Sequence, residues 1–266
     1  MQILPPFARR LRRKVMRQVA PNKLFTGQVL TNPSRKCTYL AIPKCANSSL
    51  KTAFMETLDL QPPGHLMEQI PPERLAFSPL HDKAVANWMR EQGRLIHRDQ
   101  VLPKQQDYVR VAVLRDPMSR LRSCWKDKIN KEPVDNWRFV GGIHRGFLKY
   151  GDLLYAGMTF ESFVEAVHDI SDEDSNPHFR SQIDFLRDSK NRLLTNHIMF
   201  LETLSEDLSE APEVVQDCFA GVGRKNYTGS ETMPGMSDKT RARFRERYSK
   251  DYEFLSSLEH VPFAIP

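Results

Sequence analysis

The sequence lacks the long apolar runs that would place it in a membrane. Its longest apolar runs are only a few residues, far short of the roughly 20 that span a bilayer, so we expect no transmembrane helix. The start of the chain has no unbroken apolar segment and no small-residue cleavage site, so we expect no signal peptide. The 266 residues, 40% of them hydrophobic, are enough for one core or at most two.

Metal-binding and disulfide patterns are also missing from the sequence. The four cysteines are scattered and include no C-x-x-C pair, which argues against a zinc site and against a disulfide framework. The histidines show no H-x-x-x-H or H-E-x-x-H spacing that would place two imidazoles on one helical face. We therefore predict no metal and a reducing compartment.

Positive charge is in excess and is concentrated near the start of the chain. The net charge of +6 and the pI of about 9.1 favour an anionic partner. In "FARRLRRKVMRQV", residues 7–19, apolar residues recur at helical spacing opposite the arginines. We predict a basic amphipathic helix in an N-terminal arm, residues 1–30, ahead of a main domain, residues 31–266. The helix either packs on that domain, or contacts an anionic membrane through residues 3–19, or is an organellar presequence.

Alternating apolar runs and helical patterns predict an α/β fold. The apolar runs that predict buried strands are residues 38–42, 109–114 and 198–201. Helical patterns cover about 47–58, 117–129, 160–168 and 237–256. Strand followed by helix, repeated along the chain, indicates a central parallel sheet flanked by helices.

The stretch "PKCANSSLK" lies where the first predicted strand ends and a helix begins. Ligands bind at such places in α/β proteins. Small residues let the backbone wrap around a ligand, an Asn or Ser can cap the helix, and the N–H groups at the helix start favour a phosphate. There are no glycines and Lys44 precedes the loop, so this is not a nucleotide-triphosphate loop. The alternative is a capped turn with an incidental lysine. The candidate phosphate-binding residues are Pro43, Lys44, Cys45, Ala46, Asn47, Ser48 and Ser49.

A second candidate anion site follows the strand in "VRVAVLRDPMSRLRSCWKDKI". Arg115 stands at the end of that strand, and Asp116 can cap a helix that has proline at its first position. Arg120 and Ser123 follow within the first two turns. An arginine fork and a serine hydroxyl near a helix N-terminus can bind an anion. The alternative is that Arg115 is a salt-bridge partner and Asp116 only starts a helix.

At these residues the sequence resembles the 3′-phosphoadenosine 5′-phosphosulfate (PAPS) dependent sulfotransferases, especially the carbohydrate branch, sulfotransferase family 2. In that family a Pro-Lys loop after the first strand holds the 5′-phosphosulfate, and Arg-Asp-Pro followed by Arg-Leu and Ser holds the 3′-phosphate. The resemblance covers about residues 37–256 and implies a three-layer fold like that of P-loop NTPases. Further stretches that carry it are "TFESFVEAV", "NPHFRSQ", "IMFLETLSEDL", "RKNYTGS" and "RERYSKDYEFL".

The resemblance implies in-line transfer of a sulfuryl group from PAPS to a hydroxyl of a carbohydrate, whether an oligosaccharide, a polysaccharide or a glycolipid. It implies no metal and no nucleic-acid partner. Lys44 and the loop amides would stabilise charge on the leaving phosphate. Arg115 with Ser123 would hold the 3′-phosphate, and the basic pair Arg224 and Lys225 is a weaker candidate for the same phosphate.

The acceptor hydroxyl needs a general base that titrates near neutral pH, and histidine is the natural choice. His81, between the two cofactor motifs, and His178, in "NPHFRSQ", rank above His97. Glu202, at the end of the third predicted strand, can orient a substrate or cap a turn, and we favour capping.

Departures from the family pattern shape two further expectations. Where family members usually have His-Trp, this chain has His178-Phe179. Where many animal members have a tryptophan and a basic pair after the first loop, it has Ser49-Leu50-Lys51. We therefore expect a different acceptor pocket. The cysteine pair and membrane anchor of secretory relatives have no counterpart, which favours a cytoplasmic enzyme, at the inner face of a membrane if the basic helix binds there. The alternatives from other classes are a kinase-like phosphotransferase and a non-catalytic polyanion-binding protein.

Overall fold

The computed structural model describes residues 29–75, 79–130, 132–222 and 235–266, without the side chains of residues 74, 75 and 81. The basic helix predicted before residue 29 lies outside this part of the chain, as do Arg224 and Lys225. The strands are β1 (Val29–Asn32), β2 (Cys37–Leu40), β3 (Leu95–Ile96), β4 (Val109–Leu114), β5 (Phe139–Val140), β6 (Ile143–His144) and β7 (His197–Phe200). The α-helices are α1 (Asn47–Glu56), α2 (Gly64–Met67), α3 (Pro72–Leu75), α4 (Lys83–Glu91), α5 (Val101–Lys104), α6 (Pro117–Lys128), α7 (Phe160–His168), α8 (Leu204–Glu210), α9 (Glu213–Cys218), α10 (Asp238–Arg247) and α11 (Ser249–Ser256). Short 3-10 segments cover Pro79–His81, Arg98–Gln100, Arg145–Leu153 and Gln182–Phe185.

A five-stranded sheet in the order β3-β1-β2-β4-β7 organises the chain. The three strands predicted from the sequence are β2, β4 and β7; they are neighbours and run parallel. β1 is antiparallel to both β2 and β3. It begins at Val29, two residues before the predicted start of the main domain at residue 31. The predicted α/β architecture with helices around a largely parallel sheet is confirmed. The carboxyl ends of β2, β4 and β7 therefore meet at one edge.

Apolar side chains fix the helices on this sheet. Tyr39 of β2 contacts Phe54 of α1 and Phe219 beyond α9, with ring centroids 6.2 and 5.4 Å apart. A second aromatic group joins Phe147 to Phe179 at 5.4 Å and Phe179 to Phe163 of α7 at 6.3 Å. Such rings remove large apolar areas from water and hold the loops at the sheet edge in fixed positions.

The first two predicted helices begin as expected, but only one is capped by a side chain. Asp116 accepts a hydrogen bond from Ser119 N at 2.8 Å, and Pro117 is the first residue of α6. The residue before α1 is Ala46, in the left-handed conformation, and no side chain caps this helix. The predicted cap by Asn47, Ser48 or Ser49 is wrong, because all three are already inside α1 and Ala46 occupies the position before it.

In the described part of the chain, no helix combines the length and the apolar character needed to cross a bilayer. The predicted helix over 237–256 is two helices, α10 and α11, separated at Tyr248. Tyr248 lies in the core, and its hydroxyl donates a hydrogen bond to the Phe179 carbonyl at 2.7 Å. This contact fixes the end of α10 against the loop that contains His178.

Candidate active site

The loop after β2, residues 41–46, has an unusual backbone. We call it the Lys44 loop. Lys44 and Ala46 have φ values of 73° and 51°, a region that costs residues with a Cβ roughly 1–2 kcal/mol. Backbone strain of this kind occurs preferentially at ligand sites. With α1 uncapped, the N–H groups of Asn47 and Ser48 have no acceptor within the helix. The loop therefore presents backbone donors at the carboxyl edge of the sheet, as the sequence predicts for a phosphate site.

Lys44 belongs to a group of charged side chains that we call the basic cluster: Lys44, Asp127, Lys128 and Arg138. The carboxylate of Asp127 is 2.9 Å from Lys44 Nζ, 3.1 Å from Lys128 Nζ and 2.7 Å from Arg138 Nη2. Burial alone would raise the pKa of Asp127, but Lys44 and Lys128 outweigh it and hold that pKa well below its usual range. Three cations surround one carboxylate, so the cluster keeps two positive charges and attracts an anion.

Arg115 lies next to the same loop. Its Nη1 is 3.3 Å from the carbonyl oxygen of Lys44, so the two predicted anion motifs meet at the sheet edge. Ser123 is half-buried two turns into α6, and its hydroxyl makes no hydrogen bond within the described residues. Lys44 thus contacts the Arg115 guanidinium through its carbonyl oxygen and Asp127 of the basic cluster through its ammonium group.

Arg120 has a different place from the one predicted for a cofactor ligand. Its side chain is interior, at 1% exposure. The guanidinium donates to three carbonyl oxygens, those of Pro43, Pro177 and Arg180, at 2.9, 3.0 and 2.7 Å. We therefore assign Arg120 to holding the Lys44 loop against residues 177–180, and not to contact with a cofactor.

Gln182 is a positioning residue that the sequence did not single out. Its Oε1 accepts hydrogen bonds from Arg115 N at 3.0 Å and from Cys45 Sγ at 3.4 Å. Its Nε2 donates to the Arg115 carbonyl at 2.8 Å. Burial raises the pKa of Cys45 to about 12, so the thiol stays protonated and can donate. One buried amide thereby fixes both anion motifs relative to each other.

Replacement of Gln182 by alanine is expected to lower stability and to loosen both motifs. It leaves the Arg115 N–H and carbonyl without their partner, and an unsatisfied buried group costs about 1–3 kcal/mol. Urea denaturation should show the loss, whereas Gln216→Ala, which removes a side chain on α9 that bonds only to the carbonyls of Ser209 and Ala211, should cost less. Equal stability of the two variants would contradict the positioning role.

The three candidate histidines have different environments. His97 caps the 3-10 turn Arg98–Gln100, where its Nδ1 accepts from Asp99 N at 3.3 Å. His81 ends a 3-10 turn, and its side chain is outside the described part. His178 is the candidate with a link to the basic cluster, because burial, together with Lys128, His144 and Lys44, lowers its pKa well below the ordinary value.

His144 is a second histidine at this site, and sequence analysis missed it. It ends β6, and its ring centroid is 5.4 Å from that of His178. Burial lowers the pKa of His144 to about 4, with further contributions from Lys128 and Arg138. The β5–β6 hairpin is too short to give a periodic pattern, so the sequence offers no signal that would place this residue beside His178.

One other side chain, that of Glu202, lies at the edge of the site. Glu202 follows β7, and its Oε1 accepts from Asp116 N at 3.0 Å; burial raises the pKa of its carboxyl. This bond agrees with a capping role, although the turn that it caps is the one before α6.

Within residues 29–75, 79–130, 132–222 and 235–266, no group of three or more His, Cys, Asp or Glu side chains is placed to hold a metal ion.

Comparison with known proteins gives one match. The model of a family described as "Sulfotransferase family" matches residues 27–256, which include both anion motifs, the basic cluster and the two histidines. No curated protein matches the chain, and no solved structure does.

Proposed function

Because the chain belongs to the sulfotransferase family, we propose that it transfers the sulfuryl group of PAPS to a hydroxyl of a carbohydrate acceptor. The observation that carries this proposal is the convergence of the Lys44 loop, Arg115 and the basic cluster at the carboxyl edge of the sheet. A donor with a phosphosulfate and a separate 3′-phosphate needs two anion sites, and the Lys44 loop and Arg115 are the candidates for them.

On the donor side, residues of the Lys44 loop would bind the 5′-phosphosulfate. As the bond between sulfur and the bridging oxygen breaks, negative charge grows on the leaving phosphate. Lys44 and the amides at the start of α1 can stabilise that charge from fixed positions. The Asp127 carboxylate holds Lys44 Nζ at 2.9 Å, and this contact orients the ammonium group before the donor binds.

On the acceptor side, His178 would take the proton of the attacking hydroxyl. Its Nδ1 is 2.7 Å from Asn176 Oδ1, so Nδ1 carries the proton and Nε2 is free to act as the base. A base in this position can remove the proton while the hydroxyl oxygen forms its bond to sulfur.

In support of a carbohydrate acceptor, Trp137, 36% exposed, lies in the same segment as His144, and sugars stack on such rings. A cytoplasmic location and membrane contact through residues 3–19 stay predictions.

Substitution of Arg115 by alanine is expected to remove most of the preference for a 3′-phosphate. A charge-assisted bond to a phosphate contributes about 1.5–3 kcal/mol, so affinity for 3′-phosphoadenosine 5′-phosphate (PAP) should fall by about 10-fold to 100-fold. Calorimetry should show little change in ADP affinity. Arg94→Ala provides the control, since Arg94 pairs with Asp59 away from the Lys44 loop. Equal loss of PAP and ADP affinity in Arg115→Ala would contradict 3′-phosphate binding.

The reaction should tolerate mildly acidic pH. His178 must be neutral to accept a proton, and its pKa lies well below the ordinary value because of burial and nearby cations. The ring therefore stays neutral when the pH falls through about 6.5, where an ordinary histidine would be half protonated. We expect kcat/KM for the donor to be level from neutral pH to about pH 6. A loss of activity with an apparent pKa near 6.5 would contradict the assignment.

A further inference from the structure

The imidazoles of His144 and His178 are held in opposite tautomers. Asn176 Nδ2 donates to the Gly146 carbonyl at 3.0 Å, and Asn176 Oδ1 accepts from His178 N at 3.1 Å. These two bonds fix the orientation of the amide, so the atom that faces His178 Nδ1 is an oxygen. In the neutral ring of His178, Nδ1 is therefore protonated and Nε2 carries the lone pair.

His144 has the reverse arrangement. The N–H of Gly146 donates to His144 Nδ1 at 3.1 Å, so Nδ1 is the acceptor and Nε2 carries the proton in the neutral ring. Gly146 thus sets both tautomers, one through its N–H and the other through its carbonyl and Asn176. A Cβ at this position would lie 3.0 Å from Asn176 Nδ2 and 3.2 Å from His144 Nδ1, so a larger residue here would require Asn176 or His144 to shift.

Both Nε2 atoms remain available to a ligand. Neither atom makes a hydrogen bond within the described residues. Neither is among the atoms that are both buried and without a partner, so each is accessible. The rings meet edge to face, with centroids 5.4 Å apart and planes at 64°. Two nitrogens that bond to one oxygen lie about 4.5 Å apart. Two imidazoles whose centroids are 5.4 Å apart can place their Nε2 atoms at that separation.

We propose that His144 is a second catalytic residue, whose Nε2–H donates a hydrogen bond to the same acceptor hydroxyl that gives its proton to His178 Nε2. This inference rests on the proposed function. A hydroxyl has one hydrogen and two lone pairs. His178 takes the hydrogen, His144 binds one lone pair, and the other lone pair points at sulfur.

The chemical step then balances. The free lone pair forms the new bond between oxygen and sulfur, and the bond between sulfur and the bridging phosphate oxygen breaks. PAP leaves with that electron pair, and the hydroxyl proton moves to His178. His144 keeps its proton throughout and fixes the direction of attack, which is a large part of enzymatic rate enhancement.

His144 also packs between aromatic rings, so a purely structural role is the competing explanation. Its centroid is 5.9 Å from Phe139 and 5.7 Å from Phe147. His144→Phe preserves an aromatic ring in this space but removes the donor, whereas His144→Gln keeps an N–H near the position of Nε2. His97→Phe is a matched control, because His97 also accepts a backbone N–H at Nδ1.

The experiment measures release of PAP from PAPS with water as acceptor, together with PAP affinity by calorimetry. We expect His144→Phe to lower kcat by about 100-fold, His144→Gln by about 10-fold or less, and His97→Phe hardly at all, with PAP affinity unchanged in all three. Equal turnover in His144→Phe and His97→Phe would overturn the proposal. A wild-type protein that does not bind PAP would instead overturn the proposed function.

Nitrogen-15 spectra of the full chain with labelled histidine provide a test that does not depend on turnover. At neutral pH we expect both rings to be neutral, with the proton on Nε2 of His144 and on Nδ1 of His178, each assigned by loss of its signals in His144→Phe or His178→Phe. The same tautomer in both rings would overturn the proposal.

Discussion

Replacement of Lys44 by alanine is expected to lower the rate of sulfuryl transfer by about 10²–10³-fold, the usual effect of removing one donor from a site of developing charge. The Lys44 side chain is 15% exposed and its ammonium group is held by Asp127, so the charge is in place before the donor arrives. Asp127 keeps Lys128 and Arg138 as partners in the variant, so the fold should survive. Turnover of radiolabelled PAPS measures the loss.

Lys36→Ala is the matched control for this substitution. Lys36 also pairs with an aspartate, Asp107, at 2.7 Å, but its side chain is 64% exposed and it precedes β2, at the opposite edge of the sheet. This variant should turn over PAPS like the wild type. If Lys44→Ala and Lys36→Ala are equally active, the role assigned to Lys44 is wrong.

Replacement of His178 by phenylalanine is expected to lower turnover by about 10²–10⁴-fold, the range measured for removal of a general base. Affinity for PAP should change little, because in the proposed reaction the histidine contacts the acceptor and not the donor. The separation of a lost kcat from an unchanged dissociation constant identifies a group that acts in the chemical step.

His168→Phe serves as the control for His178→Phe. His168 is a partly buried histidine at the end of α7, where its ring bonds to Asp169 and Glu246. Its loss should affect stability only. Retained turnover in His178→Phe would exclude His178 as the base and would direct attention to His81, whose side chain the structure does not describe.

Local pattern was enough to predict the part of the fold that carries the candidate donor site. Buried apolar runs at β2, β4 and β7 are bounded by polar residues, and each of the first two leads directly into a helix. Because parallel strands in an α/β sheet bring their carboxyl ends to one edge, Lys44 and Arg115 could be expected near each other. The structure places them in contact.

The rest of the site depends on contacts between segments far apart in sequence. Asp127, at the end of α6, pairs with Lys44 across 83 residues, and Gln182 reaches Cys45 across 137. No local pattern encodes such pairs. β3 has only two residues, and β1 is followed in the chain by β2, with which it pairs antiparallel, so neither gives the strand-then-helix signal.

Arg120 has contacts different from those that its place in the motif predicts. Its spacing after Arg115 suggests a second phosphate ligand, but position 120 falls on the face of α6 that packs into the core. A buried arginine must bond to carbonyls or carboxylates to offset its lost hydration. Here it bonds to the carbonyls of Pro43, Pro177 and Arg180, and thereby joins the Lys44 loop to the loop of His178.

Two classes of function compete with the proposed one. A kinase-like phosphotransferase should require magnesium, yet Asp116, the carboxylate that follows β4, is used to cap α6. A polyanion-binding protein should lose affinity gradually as any of its surface arginines is removed, with strong dependence on salt. The sulfotransferase account instead predicts a large effect of Lys44 and Arg115 and a small one of exposed cations.

Binding of PAP and ADP to the wild-type protein, measured by calorimetry with and without magnesium, distinguishes a PAPS-dependent sulfotransferase from both alternatives. We predict that PAP binds at least 10-fold more tightly than ADP, and that magnesium does not change this ratio, because Arg115 and the Lys44 loop supply the positive charge. Equal binding of the two nucleotides, or binding that requires magnesium, would contradict the assignment of PAPS as the donor.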